Sequence, residues 1–126
     1  MKLSTFLAVK AVISLVFAIA FVLIPATYLS WGGVTLDAAG TYMARFFGVG
    51  LLGIGLACWF LRSAADSEAR RGILLGLFIT DTVGFIVNLL AQLSGLWNAL
   101  GWINVAIWLL LALGLGYFRF LKPGAS

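Results

Sequence analysis

The sequence predicts an all-α membrane protein: a four-transmembrane-helix bundle with both termini in the cytoplasm. Three observations predict it. The 126 residues are 63% hydrophobic and 10% charged, with a mean hydropathy of +1.15, whereas soluble domains carry about 25% charged residues. The apolar residues fall into four runs of about 20, the length that crosses the hydrocarbon of a bilayer as a helix. Six of the eight basic residues lie on one side of a four-span arrangement, the pattern of cytoplasmic loops. The chain reads as one integral membrane domain, residues 1–126, with no added soluble domain.

The first run is Thr5 to Ile24. The small residues Ala18 to Ala20 imitate a signal-peptide cleavage site, but the apolar stretch continues past them and Lys10 interrupts it, so a retained span is favoured. Pro25 ends this run, and PATYLSWGGVTLDAAG follows as a loop with a short interfacial turn, Tyr28 and Trp31 suiting the headgroup layer. Asp37 is placed to cap the second span, Ala39 to Leu61. The charged connector RSAADSEARR offers Asp66 or Ser67 as the next cap, and Glu68 suits the first turn of the helix dipole. The third span is Gly72 to Leu93; Asn98 caps the fourth, Ala99 to Phe118. Lys2, Arg62, Arg70, Arg71, Arg119 and Lys122 fall on one side, and only Asp37 on the other. The positive-inside rule makes the basic side cytoplasmic. The net charge of +4 is thereby explained without a nucleic-acid partner.

There is no histidine and one cysteine. That removes histidine-held haem and His-based zinc, iron or copper sites. It removes Ser-His and Cys-His nucleophile pairs, and with only Cys58 there is no internal disulfide or CxxC redox pair. The expectation is no cofactor and no catalysis by this chain alone. Cys58 packs as a small apolar residue or, near the interface, is acylated.

Small residues form ridges. Gly72, Gly76, Thr80 and Gly84 follow one another at intervals of four, and Gly48, Gly53 and Ala57 mark the second span. Small residues let helix backbones approach closely in lipid. The favoured expectation is packing of the second and third spans on each other; the competing one is a face for a second copy or another membrane protein.

Asp81, Gly84, Asn88 and Gln92 share a narrow stripe of the third span. A carboxylate in hydrocarbon costs about 2.5–3.5 kcal/mol on insertion scales, so the stripe should face protein or a water-filled cavity. Depth suggests partners. Lys10 lies about 9 Å from the cytoplasmic end of its span and Asp81 about 13 Å from that end of its own, a difference a lysine stem can cover. Arg45 and Asn88 lie at similar depths from the other side, about 9 and 8 Å. The expectation is a Lys10–Asp81 ion pair, joined by Ser14, and an Arg45–Asn88 contact, with snorkelling of Arg45 or pairing to Asp37 as alternatives. Trp97, Gly101, Asn104 and Trp108 share a face of the fourth span, read as packing or as an aromatic wall for a hydrophobic small molecule.

In LIPATYLSWGGVTLDAAGTYMARFFGVGLLGIGLACWFLR a span ends in Pro25, a loop follows, and Arg45 leads a glycine-rich span from Gly48 to Gly55. This resembles small bacterial inner-membrane proteins described as DoxX-like or uncharacterised, over the first two spans. The resemblance implies a subunit in quinone-linked redox; the chain brings no cofactor ligands of its own, so no activity is carried over. The functional expectation is a non-enzymatic accessory or oligomeric subunit of a membrane complex. The alternatives are a small transporter or ligand-binding protein centred on Asp81, and a quinone-linked redox subunit.

Overall fold

A computed structural model describes residues 1–122, all helix and turn. Four helices are long and apolar enough to cross a membrane: α1 (Leu3–Leu23), α3 (Ala38–Leu61), α4 (Glu68–Leu93) and α5 (Gly101–Gly116), the last extended by a π-helical turn, Tyr117–Leu121. A two-turn helix, α2 (Pro25–Trp31), lies between α1 and α3.

Pro25 ends α1 as expected, yet it also begins α2, so the segment expected as a loop is partly helical. A proline lacks the N–H that a helix interior needs, but at the first helical position that N–H has no partner anyway. Ile24 breaks the run with φ −134°, and the chain turns there. Asp37 caps α3 by accepting from the Gly40 N–H at 2.6 Å. Of the two candidate caps for α4, Ser67 takes the role, its hydroxyl accepting from the Arg70 N–H at 3.1 Å. The helix therefore starts at Glu68, a turn before the apolar run. Asn98 accepts from the Leu100 N–H at 2.9 Å and orders the turn into α5.

The packing pairs differ from the expectation. α3 packs along α1, and α4 packs along α5; α3 and α4 do not form a close seam. Gly48 abuts Phe21 and the Val22 backbone, and Gly55 abuts Leu15 and the Ala11 carbonyl, so these glycines serve the α1–α3 seam. Gly84 lies under the Trp108 ring in the α4–α5 seam, and Gly114 under Phe6. By contrast Gly53, Gly72 and Gly76 have no neighbour where a Cβ would stand, and Ala57 and Thr80 are exposed. The ridge on α4 is thus divided: Gly84 is used inside, Gly72 and Gly76 look outward, and Thr80, though exposed, borders the cavity described below.

The two helix pairs meet at the end of the bundle that holds the chain's N-terminus and the α3–α4 connector. There Leu3, Leu7 and Ala11 of α1 mesh with Cys58 and Leu61 of α3, Leu74 and Leu77 of α4, and Leu115 and Phe118. Cys58 is fully buried in this core, which fits packing and leaves no exposed thiol for acylation. Arg70, buried beside it, donates to the Ala64 carbonyl at 2.8 Å and pins the connector. Arg119 donates to the Arg71 carbonyl at 3.1 Å and ties the last turn to α4.

Candidate functional site

The inward stripe of α1 runs Leu3, Leu7, Lys10, Ala11, Ser14 and Ala18, spaced by threes and fours as one face of a helix requires. The inward stripe of α4 runs Arg70, Leu74, Leu77 and Asp81. Lys10 on the first stripe and Asp81 on the second are both buried. Lys10 Nζ donates to Asp81 Oδ2 at 2.7 Å, with the side chains 2% and 1% exposed. The pair bridges the two helix pairs immediately above the meshed core. Buried charges require such a partner, and breaking one costs several kcal/mol because the other is left uncompensated.

Above the pair, the bundle does not close. A cavity of about 650 Å³ extends to the far end, within the range of small-molecule sites. Lys10, Ser14, Asp81, Asn88 and Asn104 are polar groups on its lining; its walls are apolar, with Phe17 and Phe21 from α1, Leu51 and Ile54 from α3, and Trp108 and Leu111 from α5. Tyr28 and Leu29 of α2 cover the far end. One side of that end is fastened. Asn98 donates from its backbone to the Gly32 carbonyl at 2.8 Å and from its amide to the Trp31 carbonyl at 3.0 Å, with Trp97 over Gly32. Gly33, with φ of +81°, makes the reversal after α2 that this contact needs.

The opposite side is open. Met43 and Phe47 of α3 are 64% and 45% exposed, and Val83 and Val87 of α4 are 53% and 58% exposed, although all four line the cavity. The lining residues from α1, α2 and α5 are buried or half-buried. The mouth therefore lies between α3 and α4, the two helices without a close seam.

The remaining expected contacts resolve differently. Asn88 lines the cavity but donates to the Gly84 carbonyl one turn back at 2.8 Å. Arg45 is exposed and makes no ion pair among the described residues, and Asp37 is occupied as a cap, so neither expected partner holds Arg45. Asparagine satisfies its amide within its own helix at no conformational distance, whereas Arg45 stands on the outer face of α3 and cannot reach inward. Gln92 leaves the cavity stripe: its amide donates to the Asn98 carbonyl at 3.1 Å and braces the α4–α5 turn. Ser14 lines the cavity one turn beyond Lys10 but does not join the ion pair as expected. Its hydroxyl makes no hydrogen bond among the described residues.

The sequence reading missed Tyr28. Read as a headgroup anchor, it instead lines the cavity, with Phe17 and Phe21 edge-on to it at 5.8 and 5.2 Å. Burial pushes its phenol above the ordinary value of 10.0, and the Asn104 side chain nearby opposes that shift. The only signal in the sequence was Pro25, which starts the helix that folds Tyr28 back. No group of three His, Cys, Asp or Glu side chains that could hold a metal occurs among the described residues.

A family model described as Domain of unknown function (DUF8292) matches residues 1–118. The chain belongs to this family. No curated protein and no solved structure matches the chain. The DUF8292 match takes in both halves of the ion pair and every residue that lines the cavity. The pair and the cavity thus lie wholly within the DUF8292 domain.

Proposed function

We propose that this DUF8292 protein is a non-enzymatic protein of the cell inner membrane that binds an apolar small molecule taken from the bilayer. Both termini face the cytoplasm, because the basic residues gather at that end. One observation carries the reading: an apolar cavity of about 650 Å³ that opens sideways between two long apolar helices and has a buried ion pair at its floor. An opening between α3 and α4 faces acyl chains, so a molecule dissolved in the membrane enters without crossing water. The few polar groups on an otherwise apolar lining would orient it.

A second reading is favoured by a separate observation. Gly53 and Ala57 on α3, and Gly72, Gly76 and Thr80 on α4, are small and exposed. They suit close approach by a helix of a second copy or of another membrane protein, which would make the chain a subunit of a complex. A quinone-linked role, implied by the DoxX-like resemblance, would use the same cavity.

Native mass spectrometry of the gently extracted protein separates these. The binding reading expects a small apolar molecule retained by the wild type and lost from Ala44→Trp, which fills the cavity from its wall. A bare protein, or the same adduct on both, contradicts it. A stoichiometric protein partner supports the subunit reading, and a retained quinone supports the redox role.

A further inference from the structure

We propose that the molecule held in the cavity carries a hydroxyl group that donates a hydrogen bond to Asp81 Oδ1. The proposal rests on the ligand-binding reading above and specifies the chemistry of the ligand's polar end.

Asp81 spends one oxygen on Lys10; the other, Oδ1, is buried and accepts no hydrogen bond from any described residue. A buried acceptor without a donor is unfavourable, and a carboxylate oxygen is among the strongest acceptors available. The other polar side chains of the lining do not serve it. The Asn88 amide is taken by the Gly84 carbonyl. Lys10 retains unused N–H donors, since an ammonium has three and one is engaged. Ser14, one turn along, has a free hydroxyl.

Oδ1 has almost no accessible surface, so a ligand reaches it as the Asp81 carboxyl turns toward the cavity it lines; there one acceptor stands beside two donors, with charges that cancel. An ammonium would be repelled by Lys10 and a carboxylate by Asp81. A ketone, ester or ether could accept from Lys10 or Ser14 but would leave Oδ1 unserved. A neutral hydroxyl, alcohol or phenol, does both: it donates to Oδ1 and accepts from Lys10 or Ser14. The rest of the molecule is apolar, because Leu51, Ile54 and Leu111 stand above.

The test compares 1-dodecanol with dodecyl methyl ether, which differ in the donor. Each is titrated against the purified full chain in detergent, and an apparent Kd is taken from the rise in Tm. The expected result is that the alcohol binds about tenfold tighter than the ether, the scale of one hydrogen bond to a charged group. That preference should vanish in the double variant Lys10→Met/Asp81→Leu, which removes both charges together. Equal binding of the two probes to the wild type overturns this proposal and leaves the ligand-binding reading standing. Binding of neither overturns both. A preference for the alcohol that survives in the double variant overturns the assignment to Asp81. Equal binding to the wild type overturns the proposal even if the double variant does not fold.

Discussion

The two ends of the bundle are built from the same helices and similar side chains, yet one is solid and the other hollow. At the terminal end, Leu7, Leu74 and Leu115 interlock around Cys58, and all four long helices contribute to one core. At the far end, α3 hugs α1 and α4 hugs α5, but the two pairs stand apart around a cavity. The difference follows from where small residues stand. Gly48 and Gly55 draw α3 onto α1, and Gly84 draws α4 onto Trp108. No glycine brings α3 onto α4, and bulky Met43, Phe47, Val83 and Val87 flank the gap. Lys10 and Asp81 mark the boundary between the two regimes. Apolar composition alone does not produce a packed interior; close helix approach has to be specified position by position.

The largest expected effect lies in the solid end. Leu115→Ala, at a side chain with no exposure, should lower stability by about 2–5 kcal/mol, because it opens a void among interlocked neighbours. Leu51→Ala, on the cavity wall, should cost clearly less, since the void already exists there. Unfolding of both variants in detergent makes the comparison; equal losses would mean that the far end is as tightly packed as the near one.

The glycines sharpen it. Gly84→Ala should destabilise by about 1–3 kcal/mol, since its methyl would overlap the Trp108 ring. Gly76→Ala meets nothing and should stabilise by about 0.5–1 kcal/mol through helix propensity. If Gly76→Ala instead weakens the protein and breaks an oligomer on a sizing column, the outward ridge is an interface.

The smallest effect concerns the cover of the cavity. Burial raises the Tyr28 phenol above 10.0. Below pH 10 the phenol is neutral in folded and unfolded chains alike, and its full contribution is present. As pH rises from there through the higher folded value, the unfolded chain gives up its proton first and stability falls. Tyr28→Phe should flatten that alkaline decline in a melting series; an unchanged slope would place Tyr28 in open solvent.

Much of this was legible in the sequence. The four apolar runs gave the long helices to within a turn or so, because hydrophobic length is a direct consequence of the solvent. Lys10–Asp81 could be found from depth, because two opposite charges that cannot reach water must find each other. The same arithmetic failed for Arg45 and Asn88. It measures height along a bundle, not angle around it, and it ignores a carbonyl one turn away. The glycines showed that helices come close, but not which helix fills each groove: Gly55 and Gly76 look alike in the sequence and differ only in what stands opposite. The cavity left almost no trace, since a space is defined by side chains from five helices and encoded by none of them.

The account turns on the ion pair, and a double-mutant cycle in unfolding free energy tests it most directly. Lys10→Met and Asp81→Leu should each cost about 3–5 kcal/mol, because each strands the opposite charge. The double variant should recover most of that loss, giving a coupling of about 2 kcal/mol or more between the two positions. Additive losses would show that the two charges do not rely on each other and would contradict the account.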